Sequence, residues 1–248
     1  MSTLDELSSL ASLTPDQTRA LDAYVDLLTG WRQANVTGLR RREAVIDTLI
    51  GDALALLDVP EVRRQAGPAV AGGPARWADL GAGAGVPGIP LAVALPAIDM
   101  TLIESVRKKC VFLEAAVAAA GLAERAHVVC ARSERVAAEG APLRETFDVV
   151  LARAVGSLAT VVELAAPLLT QHGTLLVGKT ATAARDEGPR GEAAARECGL
   201  AARAVVALAN SPLRPSVCVV YEKTAATPPS LPRREGRARS RPLGGQSG

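Results

Sequence analysis

Apolar positions along the chain change their period twice. Thr14-Pro15-Asp16-Gln17 carries the marks of a helix start: threonine can cap, proline suits the first turn, and Gln17 sits where a capping box wants it. Leu21, Tyr24, Val25, Leu28 and Trp31 follow at helical spacing and form one apolar face. A second amphipathic helix is expected from about Glu43 to Leu57, with Val45, Ile46, Leu49, Ile50, Leu54 and Leu57 inward. Arg40-Arg41-Arg42 between them is a basic connection or simply a solvated turn. Residues 60–75, rich in proline, glycine and alanine, read as a flexible connector.

Short apolar runs suited to buried strands come next, at Trp77–Leu80, Met100–Ile103, His127–Cys130, Phe147–Leu151 and Thr174–Val177. Helical stretches separate them near Ile89–Leu95, Arg107–Ala120 and Ser157–Leu169. Strands alternating with helices imply a parallel sheet covered on both faces. Ala204–Ala209 and Ser216–Tyr221, joined by a turn at Asn210-Ser211-Pro212, read as an antiparallel pair that closes it. The expected organisation is an N-terminal helical extension (1–59), the connector (60–75), an α/β unit (76–223) and a basic tail (224–248). The α/β unit would hold a mostly parallel, seven-stranded, Rossmann-like sheet. The tail is rich in proline, glycine, serine and arginine and should be extended or disordered in isolation.

Charge changes this picture only locally. The formal net charge is +2, but five arginines and one glutamate lie between Arg233 and Arg241, enough to neutralise phosphates. Only six aromatic residues are present, which excludes single-strand binding by base stacking. Any RNA contact would rest on guanidinium and ammonium groups against phosphate. Cys110, Cys130, Cys198 and Cys218 form no CxxC pair, and His127 and His172 are the only histidines, so no metal site is expected. The cysteines read as small core residues. Residues 1–12 lack a basic-then-apolar run and no stretch suits a membrane helix, so the chain is expected to be soluble and cytoplasmic.

The strongest local signal is Asp79-Leu80-Gly81-Ala82-Gly83-Ala84-Gly85-Val86-Pro87-Gly88. A strand ends in an acid, and glycines at alternate positions lead into a helix. A ligand can approach this backbone closely, and the helix start offers N–H donors. Glu104 ends the next strand, where a carboxylate can accept both hydroxyls of a ribose. Gly83 to Gly88 also matches GxGxxG, so a nicotinamide dehydrogenase is a rival, as is a non-catalytic nucleotide-binding fold. Asp79 before the first glycine favours a methyl donor, S-adenosylmethionine, because its carboxylate can receive polar groups from the methionine end. Pro87 and Pro90 point the same way, since they stiffen an entry that a pyrophosphate would need bare. After the third strand, Ser133 and Glu134 sit where such folds grip an adenine edge, although Glu134 could be only a capping acid. Arg153 and Lys179 end the fourth and fifth strands over the cleft, as candidate catalytic groups or as surface ion pairs. No Asn/Asp-Pro-Pro-aromatic motif follows the fourth strand and no Pro-Cys is present, which counts against amine and cytosine-C5 methylation. A nucleophile such as guanine N7 needs neither device, and alignment plus electrostatics can suffice.

The segments DLGAGAGVPGIPLA, LIES with KKCVFL, ARSE, FDVVLARAVGSL, LLVGKT and LPRREGRARSRPL together resemble the ribosomal small-subunit methyltransferase G family, also called the glucose-inhibited division protein B family. The similarity covers roughly residues 20–243. It implies N7 methylation of a guanine in 16S rRNA of the small subunit, with S-adenosylmethionine as donor; separately, the chain is expected to be a monomer. Gly81 and Val86, with Asp79, Gly83, Gly85 and Glu104, would line the donor site. Ser133 and Glu134 would face the adenine and Arg153 the reactive end. Lys179 and the tail arginines Arg233, Arg234, Arg237, Arg239 and Arg241 would face RNA. The acceptor side departs from the family: its Arg-His pair falls on Thr48-Leu49, the stretch Trp31–Thr37 is shortened by one residue, and Ala238 replaces a proline. Two further readings follow, a methyltransferase drifted to another RNA or a small molecule, and a non-catalytic RNA-binding assembly factor.

Overall fold

Alternation along the strands sets the architecture. Val149 and Leu151 enter one core while Val150 and Ala152 enter a second on the opposite face of the sheet, as the two-residue period of a strand requires. The computed structural model describes residues 3–67, 73–208 and 216–245. Seven strands, β1 (Ala75–Leu80), β2 (Ile98–Glu104), β3 (Ala126–Cys130), β4 (Phe147–Arg153), β5 (Leu169–Thr180), β6 (Leu200–Ala207) and β7 (Ser216–Lys223), form one sheet in the order 3-2-1-4-5-7-6. The first five are parallel, and β7 runs antiparallel to both β5 and β6. This is the mostly parallel, Rossmann-like sheet expected, with the antiparallel pair at its end. Part of the expected closing turn, residues 209–215, lies outside the described residues.

One face carries α1 (Leu4–Leu10), α2 (Pro15–Gly30) and a helical lead-in to the sheet. The lead-in comprises α3 (Arg42–Val45), a π turn (Ile46–Ile50), α4 (Gly51–Leu54), a 3₁₀ turn (Ala55–Asp58) and α5 (Pro60–Gln65). With them lie α6 (Gly88–Ala94) and α7 (Arg107–Ala119). The other face carries α8 (Ser133–Val136), α9 (Leu158–Ala165), α10 (Ala181–Glu197) and α11 (Arg237–Ser240). Capping boxes at Thr3 and Thr14 start α1 and α2. The N-terminal helices share one core with the sheet: Leu21, Tyr24, Val25 and Leu28 are buried in the cluster that contains Trp77, Met100 and Leu151.

Four expectations change. Pro60–Gln65, read as connector, is helical because Pro60 fits its first turn and Val62 is buried; residues 68–72 lie outside the description. Residues 181–197, to which the sequence assigned no element, form α10 despite Gly188, Pro189 and Gly191. A Cβ on Gly191 would lie 2.8 Å from Leu158 Cβ, so the small residue permits close packing of α10 on α9. Residues 224–245 of the tail are held against the body because Leu231 and Ala238 are buried against the α9 face. Cys198 and Cys218 are buried thiols, but Cys110 is disulfide-bonded to Cys130, which is exposed rather than a core residue. Pairing of Glu104 with Cys130 across β2 and β3 brings the end of β3 beside the start of α7.

Candidate active site

The carboxyl ends of β1, β2, β4 and β5 form the site, and hydrogen bonds tie the first two together. Asp79, one residue before the end of β1, is 1% exposed, and its Oδ2 accepts from Gly88 N at 2.9 Å, which anchors the start of α6. A Cβ on Gly88 would stand 2.7 Å from that oxygen, so only glycine fits. Gly81, Gly83 and Gly85 all have positive φ, and at Gly85 (+82°) a side chain would also meet Ile89 Cδ1 at 2.5 Å. Glu104 holds the loop from β2: Oε2 accepts from Gly83 N at 3.1 Å and Oε1 from Val106 N at 2.8 Å. Each oxygen keeps acceptor capacity for a ligand hydroxyl. Val86 is buried at the end of this loop.

Burial pushes the Asp79 carboxyl up to about 7, against the opposing effects of the Gly88 N–H and the Arg153 charge. Above it, Tyr24 of α2 is fully buried and its hydroxyl donates to Ala84 O at 2.6 Å. Burial, followed by the Asp79 charge, pushes that phenol up. Nothing in the sequence beyond its place on the apolar face of α2 points to Tyr24 as part of the site.

Arg153 and Lys179 come together in a cleft of about 650 Å³. Its walls include Leu39, Thr48 and Asp52 from the N-terminal half, Pro87 from the glycine loop, and Gly178 and Ser216 from the sheet. Arg153 donates through one terminal nitrogen to Asp52 Oδ2 at 2.8 Å and to Thr48 O at 3.3 Å. Its other terminal nitrogen, Nη1, is buried without a partner. Lys179 Nζ donates to Gly156 O at 2.7 Å and to Glu187 Oε2 at 2.8 Å. Thr48 thus forms the wall beside Arg153.

The remaining candidates sit elsewhere. Ser133 and Glu134 open α8, where Glu134 Oε1 accepts from Gly236 N of the tail at 2.9 Å. Arg233 does not point outward. It forks onto Glu163, donating from Nε to Oε1 at 2.7 Å, and Nη2 donates to Arg241 O. Its guanidinium is taken up by a carboxylate with 1% exposure, so it fastens the tail to α9. Arg239 donates to Val155 O at 3.1 Å, while Arg234, Arg239 and Arg241 are exposed and Arg237 is half-buried. Among the described residues, no cluster of metal-ligating side chains occurs and no helix is long and apolar enough to cross a membrane.

Comparison with known proteins gives a consistent answer. The family model for rRNA small subunit methyltransferase G matches residues 17–213. A ribosomal RNA small subunit methyltransferase G of Desulfitobacterium hafniense is 32% identical, over 93% of this chain and 91% of its own. The protein of the same name from Rubrobacter xylanophilus is 38% identical over 93% and 85%. Among solved structures, the apo form of the S-adenosylmethionine-dependent methyltransferase SibL superposes with a TM-score of 0.53 at 17% identity, covering 85% of this chain and 73% of its own. That likeness concerns the fold.

Proposed function

The chain belongs to the rRNA small subunit methyltransferase G family, and from that premise we propose that it transfers a methyl group from S-adenosylmethionine to N7 of a guanine in 16S rRNA of the small ribosomal subunit. That it is an S-adenosylmethionine-dependent rRNA methyltransferase follows from the family; the atom and the RNA are our reading. The observation that carries it is Arg153 beside the glycine loop, in a cleft large enough for a base.

The residues present fit the donor. The glycine loop offers a close-approach backbone, Glu104 offers acceptors for ribose hydroxyls, and Asp79 offers a buried acid for a cationic ligand group. Ser133 and Glu134 would border the adenine, with Glu134 also joined to the tail. When bound, the donor supplies an electrophilic methyl on a sulfonium. Guanine N7 brings its own lone pair, so the protein needs no base to remove a proton. Transfer to N7 would leave the donor as a neutral thioether that keeps the C–S electron pair, so the residues at the cleft would only have to align acceptor, methyl and sulfur.

What the chain must do is orient and exclude. Arg153 lines the cleft with Nη1 buried and unpartnered, and a small side-chain shift on binding would let it donate to an acceptor there, such as guanine O6 or a carboxylate. Asp52 and Thr48 O hold its other nitrogen, so the fork is already aimed. Lys179, held by Gly156 O and Glu187, puts a cation on the same wall. Arg234, Arg237, Arg239 and Arg241 would meet phosphate. Nuclease digestion of treated subunit RNA, followed by mass spectrometry, tests the product: 7-methylguanosine supports the reading, and a base-amine or ribose methyl overturns it.

Thr48 favours one second reading, a drifted acceptor. It lines the cleft where the resemblance places the arginine of the family's Arg-His pair, so the wall beside Arg153 would carry one cation fewer.

A further inference from the structure

A second concavity, of about 440 Å³, lies outside the cleft and is lined by Arg32, Gln33, Ala34, Asn35, Arg40, Val106, Lys108 and Lys109. Four cations and no acid face it. Several surface cations elsewhere are neutralised: Arg19 by Asp16, Arg42 by Asp22 and Asp26, Arg63 by Asp58, Arg135 by Glu235, Arg203 by Glu222. Among the described residues, none of the four lining cations is within ion-pair distance of a carboxylate. Arg32 is instead fixed by its own backbone, donating from Nη1 to Thr29 O at 2.7 Å and to Trp31 O.

The cup is built, not accidental to a mobile rim. Trp31 packs edge-on against Phe112, with ring centroids 5.3 Å apart, and this joins the end of α2 to α7. Arg32 and Lys108–Lys109 are thereby set on facing walls. The first turn of α7 has no side-chain cap, so its backbone N–H groups add positive potential at the same place.

Position gives the occupant. Leu39 lines the large cleft while the next residue, Arg40, lines the cup, so the chain passes directly from one concavity to the other. Val106 stands two residues beyond Glu104, beside the donor loop. The geometry points to the cup as a seat for backbone phosphate of the RNA strand whose base enters the cleft. This rests on the rRNA reading above and assigns to substrate binding four cations that lie outside both the cleft and the tail. Asn35 supplies a neutral donor, and the basic connection at Arg40 becomes a contact rather than a solvated turn.

The test is salt-dependent binding of small ribosomal subunits that lack the methyl mark. Arg40→Gln with Lys108→Gln is compared with Arg64→Gln with Arg196→Gln, which removes the same charge from α5 and α10. Both pairs are exposed, and thermal unfolding checks that each folds. The cup variant is expected to bind subunits at least about tenfold more weakly, with the slope of log affinity on log salt falling by roughly 1.5 for two lost contacts. Affinity for S-adenosylmethionine and turnover at saturating subunits should stay as in the parent. Unchanged affinity and slope, or a loss matched by the control pair, overturns the cup while methylation by the parent leaves the rRNA reading standing. A parent that neither binds nor methylates subunits overturns that reading and the cup with it.

Discussion

Arg153 at the end of β4 and Asp52 in the lead-in to the sheet, 101 residues apart in the chain, meet at 2.8 Å across the mouth of the cleft. The contact ties the N-terminal helices to the reactive end of the sheet. Both side chains are about one-fifth to one-quarter exposed. Asp52→Ala should therefore cost about 2 kcal/mol of stability, less than the ~3–5 kcal/mol of a fully buried pair. Arg153→Ala should lower kcat/KM by about 100-fold with donor affinity changed far less, as for removal of one preorganised donor. Arg153→Lys should rescue little, because a single ammonium cannot reach Asp52 and the cleft together. Steady-state kinetics beside calorimetric titration of the donor separate these effects.

The sheet and half of this site were legible because their signals are local. Asp79, the glycines and Glu104 lie within 26 residues and close on one another through Gly83 and Gly88. Asp52, Tyr24 and Glu163 act over long sequence separations, and each looks locally like an ordinary helix residue. α10 was hidden for the opposite reason: Gly188, Pro189 and Gly191 argue against a helix, and packing on α9 overrides them. The tail misled through composition, since two small anchors, Leu231 and Ala238, hold a stretch that is otherwise polar.

Removing the Tyr24 hydroxyl tests whether α2 steadies the glycine loop. Tyr24→Phe leaves Ala84 O without this donor and should cost about 1 kcal/mol in unfolding. If the bond shapes the donor site, S-adenosylmethionine should also bind several-fold more weakly. Equal donor affinity in parent and variant would reduce the contact to packing.

Asp79 gives the site a pH dependence whose sign can be worked out. Its carboxyl titrates near 7 when folded, above the ordinary 3.8, so folding favours the protonated form. This contribution is full below about pH 4 and is lost as pH rises to 7. Asp79→Asn should accordingly gain stability relative to the parent between pH 4 and 7. A cationic donor group needs the carboxylate, so donor affinity should rise by up to about tenfold per pH unit below the titration point and level off above it. Titration calorimetry in two buffers of different ionisation heat should show proton release near pH 6.5. A donor affinity flat from pH 5.5 to 8 would remove Asp79 from the donor site.

Arg233 and Glu163 separate a structural tail from an RNA-binding one. Arg233→Ala strands a buried carboxylate and should destabilise the protein by about 3 kcal/mol, with faster proteolysis after residue 233. Glu163→Gln with Arg233→Met should recover much of that loss. The exposed Arg234→Ala should leave the unfolding temperature unchanged and weaken RNA binding alone.

Transfer of tritiated methyl from S-adenosylmethionine to small subunits from a strain deleted for this gene tests the central proposal most directly, with borohydride and aniline cleavage to locate the product. The expected result is label in 16S rRNA and one cleavage site at a guanine, with initial labelling slowed about 100-fold by Arg153→Ala. Intact donor binding without label in the subunit, or label that yields no cleavage, would contradict it.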